Sequence, residues 1–579
     1  MKKNKNSFKI GSYLKRHTWK IIIGPFFKFL EALTDILTPF LVAKILDVGV
    51  PAGDTNYIIK MACIIIAMNI FGMIFAIICQ KCSSLTAKGV AKQLRSDLFS
   101  HINTFSHAEF DKFSTMSLTN RVINDVDQVQ NTIGRTLRQL SRAPFLLIGA
   151  TVMAMILDIK ISLIFIILVP ILGIGIYMIM RKTSGIYTEA KLNLDNVSNI
   201  TRENLSGARV VKAFNKQQYE ENRFQKCNTA LTGSNIKVGD ITAKLQPILG
   251  LIINFAAVAI IWIGGFRVNI GGLSQGNIIA LINYFLQIST ALVVIARLII
   301  VYSRTGASTK RIGEVFDVKN TIISGEKVVE IPENHGEIEF KNVNFEYGDG
   351  KEAVTNLSII IKKGETVGII GGTGSGKSSV VNLIPRFYDV SQGEVLIDGV
   401  NVKDYNLKSL RSLIGIVPQN PTLFKGTLAE NMKFRKESAS DAEIIKALQI
   451  AQIYDFVKEQ PLGLNLKVER GGTNFSGGQK QRLTIARALV GHPQILILDD
   501  SSSALDFATD ASLRKAITEN YKNLTTIIVS QRTNSIKHAD NIIVMDNGNV
   551  VGIGKHERLI KECTVYQEIY FSQNKKEGI

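Results

Sequence analysis

Cysteine is scarce and unpatterned in this sequence: Cys63, Cys79, Cys82, Cys227 and Cys563 are spread over 579 residues with no repeated metal-ligand spacing. Their scatter argues against a disulfide framework. Cys79 and Cys82 form a C-x-x-C, but no strand-helix-strand pattern surrounds them, so both read as ordinary helix residues. The first apolar run does not read as a cleavable leader, since it is long, carries Glu31 and Asp35, and lacks a small-residue cleavage pattern. Basic residues are absent in a more informative way. The turn "LDVGVPAGDTN" has none, and "LDIK" and "GGFRVNIGG" have one each, although the whole chain carries a formal charge of +19.

The lysines and arginines crowd instead into the amino tail "MKKNKNSFK" and the segments Lys81–Arg142 and Arg181–Lys244. Between them lie six apolar windows: Trp19–Val48, Ile58–Cys79, Ala143–Leu157, Ile161–Met180, Leu245–Phe266 and Ile278–Tyr302. A membrane span needs roughly 20 mainly apolar residues, so all six are candidates, and the short third one must borrow polar neighbours. Basic segments on one side and bare turns on the other follow the positive-inside pattern, which puts both termini and two long inter-helix segments in the cytoplasm. The membrane then accounts for the positive charge, and no nucleic-acid partner is needed. In the first window Lys28, Glu31 and Asp35 recur at i, i+3 and i+7, on roughly one helix face. Ionisable groups at depth face a cavity or a partner. Contact with substrate, pairing with Arg297 of the last window, and a place near the cytoplasmic mouth below a bend at Pro25 all stand open.

At ~100 to 200 residues per domain the chain should hold two or more units. Composition changes near Val315–Pro332, and from about Gly336 short apolar strands alternate with glycine turns and charged helical stretches. The stretch "VGIIGGTGSGKSSVVNLI" reads as strand, loop and helix, with Gly371, Gly372, Thr373, Gly374, Ser375, Gly376, Lys377 and Ser378 matching G-x-x-x-x-G-K-S, and Ser379 following. Glycines let successive N–H groups turn toward a phosphate, Lys377 reaches the β and γ phosphates, and Ser378 offers its hydroxyl to Mg²⁺. Further on, Ser476, Gly477 and Gly478 make a small-residue turn before the helical "QKQRLTIARALV", which begins at Gln479. A helix terminus of that kind attracts anions.

These motifs resemble the ATP-binding cassette (ABC) transporters, in particular the exporter type with six membrane helices fused to one nucleotide-binding domain. The resemblance covers essentially the whole chain. It implies an all-α transmembrane domain of six helices over 1–320, a linker at 321–335 and an α/β phosphate-loop ATP-binding cassette domain over 336–579. It also implies that Tyr347 in "FEYGDG" stacks on adenine and that Ser378, Gln419 in "IGIVPQNPTLF" and Asp499 in "ILILDDSSSALD" hold the metal, so the cofactors are ATP and Mg²⁺. "FSGGQKQR" is similar to the family signature that faces a partner's phosphate loop across ATP, and Asp506 to the end of the family's D-loop. "AEFDKFSTMSLTNRVINDVDQVQ" and "ENLSGARVVKAFNKQQYEENRF" resemble the segments whose short helices touch nucleotide domains.

Two positions depart from the family. Asp500 stands where a catalytic glutamate polarises the attacking water, and the shorter side chain sets its oxygens back by about 1 Å, a misplacement that can cost roughly a hundredfold. Gln531 in "TIIVSQRTNSI" stands where a switch histidine contacts the γ phosphate, and an amide carries no proton. The pattern resembles one half of a heterodimeric exporter of the bacterial cytoplasmic membrane. Its own site binds ATP but is hydrolytically impaired, its signature completes the active site of a second half-transporter with the consensus Asp-Glu and histidine, and its substrate is a drug, lipid or peptide. An ATP-gated channel or regulatory receptor is the competing reading. A soluble ATPase acting on DNA leaves the six windows unexplained.

Overall fold

Inside a bilayer an apolar run must close its backbone hydrogen bonds within itself, which a helix does. Six long helices answer the six windows in the computed structural model, which describes residues 8–328, 336–348, 350 and 352–574. They are α1 (Thr18–Lys44), α2 (Thr55–Ile102), α3 (Arg142–Leu157), α4 (Ile159–Ser206), α5 (Leu245–Asn269) and α6 (Gln275–Phe316). Among the described residues four helical stretches are long and apolar enough to cross a membrane: Thr55–Ile102, Thr115–Leu157, Gly250–Asn269 and Gln275–Phe316. The short third window closes the 43-residue stretch Thr115–Leu157, so the polar neighbours it borrows are its own preceding turns. Ile159–Gly175 at the start of α4 is a shorter apolar stretch.

The chain divides into two compact units, Met1–Asn103 with Thr115–Val318, and Thr104–Ser114 with Lys319–Ile579. Of the linker expected at 321–335, residues 329–335 lie outside the described residues, as do residues 1–7 of the basic tail.

In the first unit, apolar side chains such as Ile66, Ile70, Phe71 and Ile77 of α2 are exposed, as lipid-facing positions should be. Polar groups find partners inside. Tyr284 of α6, fully buried, donates to the Ile36 carbonyl at 2.9 Å. Asp158 caps α4 by accepting from Ile161 N at 3.0 Å and pairs with Arg267 of α5 at 2.7 Å. The charges of α1 pair differently from the proposed link to Arg297. Lys28 meets Glu31 at 2.6 Å, and Arg142, the first residue of α3, meets Asp35 at 2.5 Å and Glu31 at 3.9 Å. α1 continues as helix through Pro25 and Pro39.

The described residues of the second unit form twelve short strands: β1 (Ile338–Glu346), β2 (Glu352–Ile361), β3 (Thr366–Gly371), β4 (Gln392–Ile397), β5 (Val400–Asn401), β6 (Ile414–Val417), β7 (Gly426–Thr427), β8 (Lys467–Val468), β9 (Ile495–Asp499), β10 (Thr525–Val529), β11 (Asn541–Asp546) and β12 (Asn549–Gly554). They form a four-stranded sheet in the order β2-β1-β4-β5, a six-stranded sheet in the order β12-β11-β3-β10-β9-β6, and the pair β7-β8. The larger sheet is parallel except for β12. Its helices include α7 (Lys377–Leu383), α8 (Gly477–Leu489), α9 (Phe507–Asn520), α10 (Thr533–Ile536) and α11 (Thr564–Gln573). Near-continuous apolar strands suit a sheet covered on both faces. Alternation divides them: Val367, Ile369, Ile495, Ile497 and Ile527 join Phe340 and Ile359 of the smaller sheet in one buried cluster. Ile370, Leu496, Leu498 and Ile528 point the other way and join Leu483 of α8 and Tyr566 of α11.

Candidate functional site

In an open parallel sheet, ligands bind beyond the carboxyl ends of the strands. Here β3, β10 and β9 are neighbours, with Val529 in register with both Ile369 and Asp499. The phosphate loop that leaves β3, the Asp499–Asp500 pair that ends β9 and the Ser530–Gln531 turn that leaves β10 therefore converge, although they lie far apart in sequence. Ser530 N donates to the Ile369 carbonyl at 3.1 Å and Asp500 N to the Val529 carbonyl at 2.9 Å, which extends the ladder into the loops.

The loop's glycines are needed for its shape. Gly374 and Gly376 take φ of +80° and +97°, and a Cβ on Gly376 would lie 2.2 Å from the Ala353 carbonyl oxygen. Gly372, Thr373 and Gly374 are exposed at the top of the loop, and Ser375 is buried beneath it. Lys377 is buried and donates from Nζ to the carbonyls of Gly371 at 2.9 Å and Gly372 at 2.6 Å, and to Ser375 Oγ at 3.3 Å. Burial lowers its pKa, against the carboxylates of Asp500 and Asp499, which raise it. Tyr347 is half-buried, its hydroxyl 3.1 Å from Ser379 Oγ and its ring edge-on to Tyr388 at 5.4 Å.

Ser378 Oγ donates to Asp499 Oδ1 at 3.3 Å, and Gln419 Nε2 donates to Asp500 Oδ2 at 3.3 Å. Hydroxyl, carboxylate and amide oxygens are the hard donors that Mg²⁺ prefers, so this chemistry fits the metal role read from the motif. Burial pushes the Asp499 carboxyl up, opposed by the Ser378 hydrogen bond and by Lys377. Asp500 has φ +46°, in the left-handed region that aspartate tolerates better than most side chains.

Ser476 is the N-cap of α8 in a reciprocal capping box: Ser476 N donates to Gln479 Oε1 at 2.9 Å and Gln479 N to Ser476 Oγ at 3.3 Å. Ser476 and Gly477 are exposed, Gly478 half-buried. Asp506 caps α9, accepting from Thr509 N at 2.9 Å and Thr509 Oγ1 at 2.8 Å, and these hydrogen bonds hold its carboxyl below the usual range.

Several contacts around the site carry no sequence signal. The Arg532 guanidinium donates to the carbonyls of Ser502 at 3.3 Å, Ser503 at 3.1 Å and Leu505 at 3.4 Å, which ties the turn after β10 to the segment after β9. The short helix His107–Lys112 belongs to this unit, with the His107 ring 4.3 Å from that of Phe387 and the Tyr388 hydroxyl donating to Asp111 at 2.8 Å. The sequence offered that segment by resemblance, as one whose short helix touches a nucleotide domain. It did not name its partners.

Two family models match the chain, the ABC transporter transmembrane region over residues 21–292 and the ABC transporter over residues 354–503. An uncharacterized ABC transporter ATP-binding protein of Bacillus subtilis (strain 168), YfiB, is 34% identical over 568 residues, which is 98% of this chain and 98% of that protein. The ATP-dependent lipid A-core flippase of Escherichia coli (strain K12) is 30% identical over 555 residues, covering 96% of this chain and 95% of the flippase. A solved structure of a bacterial Atm1-family ABC exporter with ATP bound superposes with a TM-score of 0.81 at 23% identity, covering 97% of this chain and 99% of that one. A strand-loop-helix phosphate cradle, an exposed signature turn and apolar spanning helices in one chain place it in a single group: the chain belongs to the ABC transporter family, as an exporter half-transporter that joins one helical membrane domain to one nucleotide-binding domain.

Proposed function

We propose that this chain is the ATP-retaining half of a heterodimeric exporter in a bacterial cytoplasmic membrane, which moves an amphipathic drug, lipid or peptide out of the cytoplasm or inner leaflet by alternating access. Its own site holds MgATP on Tyr347, the phosphate loop, Gln419 and Asp499, and hydrolyses it poorly. Its signature, Ser476 to Gln479, completes the site of a partner half-transporter that carries the consensus glutamate and histidine. A lipid substrate is supported by the likeness to a protein named as a lipid A-core flippase.

The observation that carries the reading is the pair of replacements at converging strand ends. Asp500 follows Asp499 at the end of β9, and Gln531 follows β10 beside it. A shortened carboxylate reaches about 1 Å less toward an attacking water, and an amide cannot take a proton from it. Both losses leave the phosphate-binding groups untouched, so binding survives where turnover does not.

Steady-state ATPase of the purified full-length chain in lipid nanodiscs tests this. The chain alone should turn over well below about 1 s⁻¹, the low end of ordinary enzyme rates, and the double change Asp500→Glu with Gln531→His should raise the rate at least tenfold. Turnover by the unaltered chain at the rate of the double variant would reverse the reading.

A further inference from the structure

The turn that carries Gln531 is held by a side chain about forty residues further along. Gln573, the last residue of α11, donates from Nε2 to the Gln531 carbonyl at 2.6 Å. Its Oε1 accepts from Thr533 N at 2.9 Å and from Thr533 Oγ1 at 3.1 Å. One amide therefore uses both its donor and its acceptor to bracket residues 531 to 533. Asn574 Nδ2 adds a contact to Thr533 Oγ1 at 3.4 Å. Thr533 opens α10, where its N–H has no intrahelical acceptor, so the Gln573 oxygen satisfies an otherwise orphaned donor.

Both ends of the bracket are anchored. Thr533 and Ile536 are fully buried. Tyr566 of α11 is also fully buried, with its hydroxyl 2.7 Å from His556 Nδ1, so α11 is fixed about two turns before Gln573. On its other side the same turn is fixed by Arg532 on the carbonyls of residues 502 to 505. Between these two holds the backbone of Gln531 has little freedom, and the direction of its side chain follows from that backbone.

We propose that Gln573 is a positioning residue for nucleotide discrimination: it clamps the 531–533 turn so that the Gln531 amide is held at the γ phosphate, and α11 thereby sets how strongly this site prefers ATP to ADP. The proposal rests on the reading of Gln531 given above. A clamp that acts only through Gln531 affects the nucleotide that has a γ phosphate and spares the one that lacks it. A clamp that merely stabilises the fold affects both alike.

The test is equilibrium binding of MgATP and MgADP to the full-length chain in lipid nanodiscs, with thermal melting of each variant alongside. Gln573→Ala should weaken MgATP about two- to tenfold, the range for one or two lost hydrogen bonds, and leave MgADP within about twofold. Gln573→Glu keeps the acceptor for Thr533 but replaces the donor to Gln531 by a carboxylate oxygen that repels the Gln531 carbonyl, so its loss of MgATP should be at least as large as that of Gln573→Ala. Gln531→Ala should reproduce the ATP-selective loss, and the double variant should be no weaker than the worse single one. If Gln531→Ala is ATP-selective but Gln573→Ala is neutral or weakens both nucleotides equally, the clamp is overturned and the reading of Gln531 stands. If Gln531→Ala itself leaves the ATP-to-ADP preference unchanged, the reading of Gln531 falls and the clamp with it.

Discussion

Gln419 donates from Nε2 to Oδ2 of Asp500 at 3.3 Å, which links the loop after β6 to the residue that follows β9. The Asp500 carboxylate thus has a protein partner of its own. Asp500→Asn keeps an oxygen for Gln419 and removes one charge near the γ phosphate, so ATP should be held as tightly or more tightly. In the proposed complex with a partner half-transporter, we expect Asp500→Asn to change steady-state ATPase less than about threefold and Ser476→Ala to lower it more than about tenfold. Ser476 also caps α8, and that capping is worth about 1 kcal/mol. Ser476→Thr, which keeps the capping oxygen, separates the fold from the chemistry.

The phosphate loop should fail in two distinguishable ways. Lys377→Ala removes the charge proposed to reach the phosphates and should weaken MgATP more than about tenfold while membrane insertion is unchanged. Gly376→Ala adds a Cβ 2.2 Å from the Ala353 oxygen at a φ of +97°, so the loop itself must move. A strain of about 1–3 kcal/mol is expected, read as a lower melting temperature as well as lost nucleotide binding.

Asp499 sets a pH dependence. Burial raises its carboxyl above the ordinary 3.8, against the Ser378 hydrogen bond and Lys377. Because the folded chain holds this proton more tightly than the unfolded one, the Asp499 contribution to stability is favourable below the ordinary value and is lost as pH rises through the folded value. Metal-assisted nucleotide binding runs the other way, since Mg²⁺ needs the ionised form. Mg²⁺-dependent ATP affinity should therefore begin to fall at a higher pH than an ordinary aspartate would give. Titration from about pH 7.5 to about pH 5, with Asp499→Asn as the flat control, checks this.

The ion cluster of the membrane unit makes a stability prediction. Arg142 serves both Asp35 and Glu31, and Glu31 is already neutralised in part by Lys28. Arg142→Met leaves Asp35 without its cation and should destabilise by about 1–3 kcal/mol, less than a fully buried pair because the arginine is partly exposed. Adding Asp35→Asn should recover most of the loss in a thermal melt in nanodiscs. An unchanged melting temperature for Arg142→Met would show that the pair contributes nothing.

What the sequence determined by itself is what is contiguous along the chain. Six apolar windows each become a helix because lipid leaves the backbone no other partner, and Gly371 to Ser378 form a loop between strand and helix because strand, glycine turn and helix are encoded side by side. Asp500 and Gln531 are likewise read straight from the chain, next to the strand ends that carry them. The tertiary structure decided everything that depends on which distant segments become neighbours. Sheet order puts β10 between β3 and β9 and so brings Gln531 beside Asp499 and the phosphate loop. Helix packing gives Asp35 to Arg142 where spacing on one helix could offer only a face. The bracket of Gln573 on residues 531 to 533 has no trace in composition or period, because one exposed glutamine at a helix end looks like any other until the chain folds back on it. Local backbone preferences act over a few residues, whereas these contacts are selected by the burial of whole strand and helix faces, and that selection is made only when the segments pack.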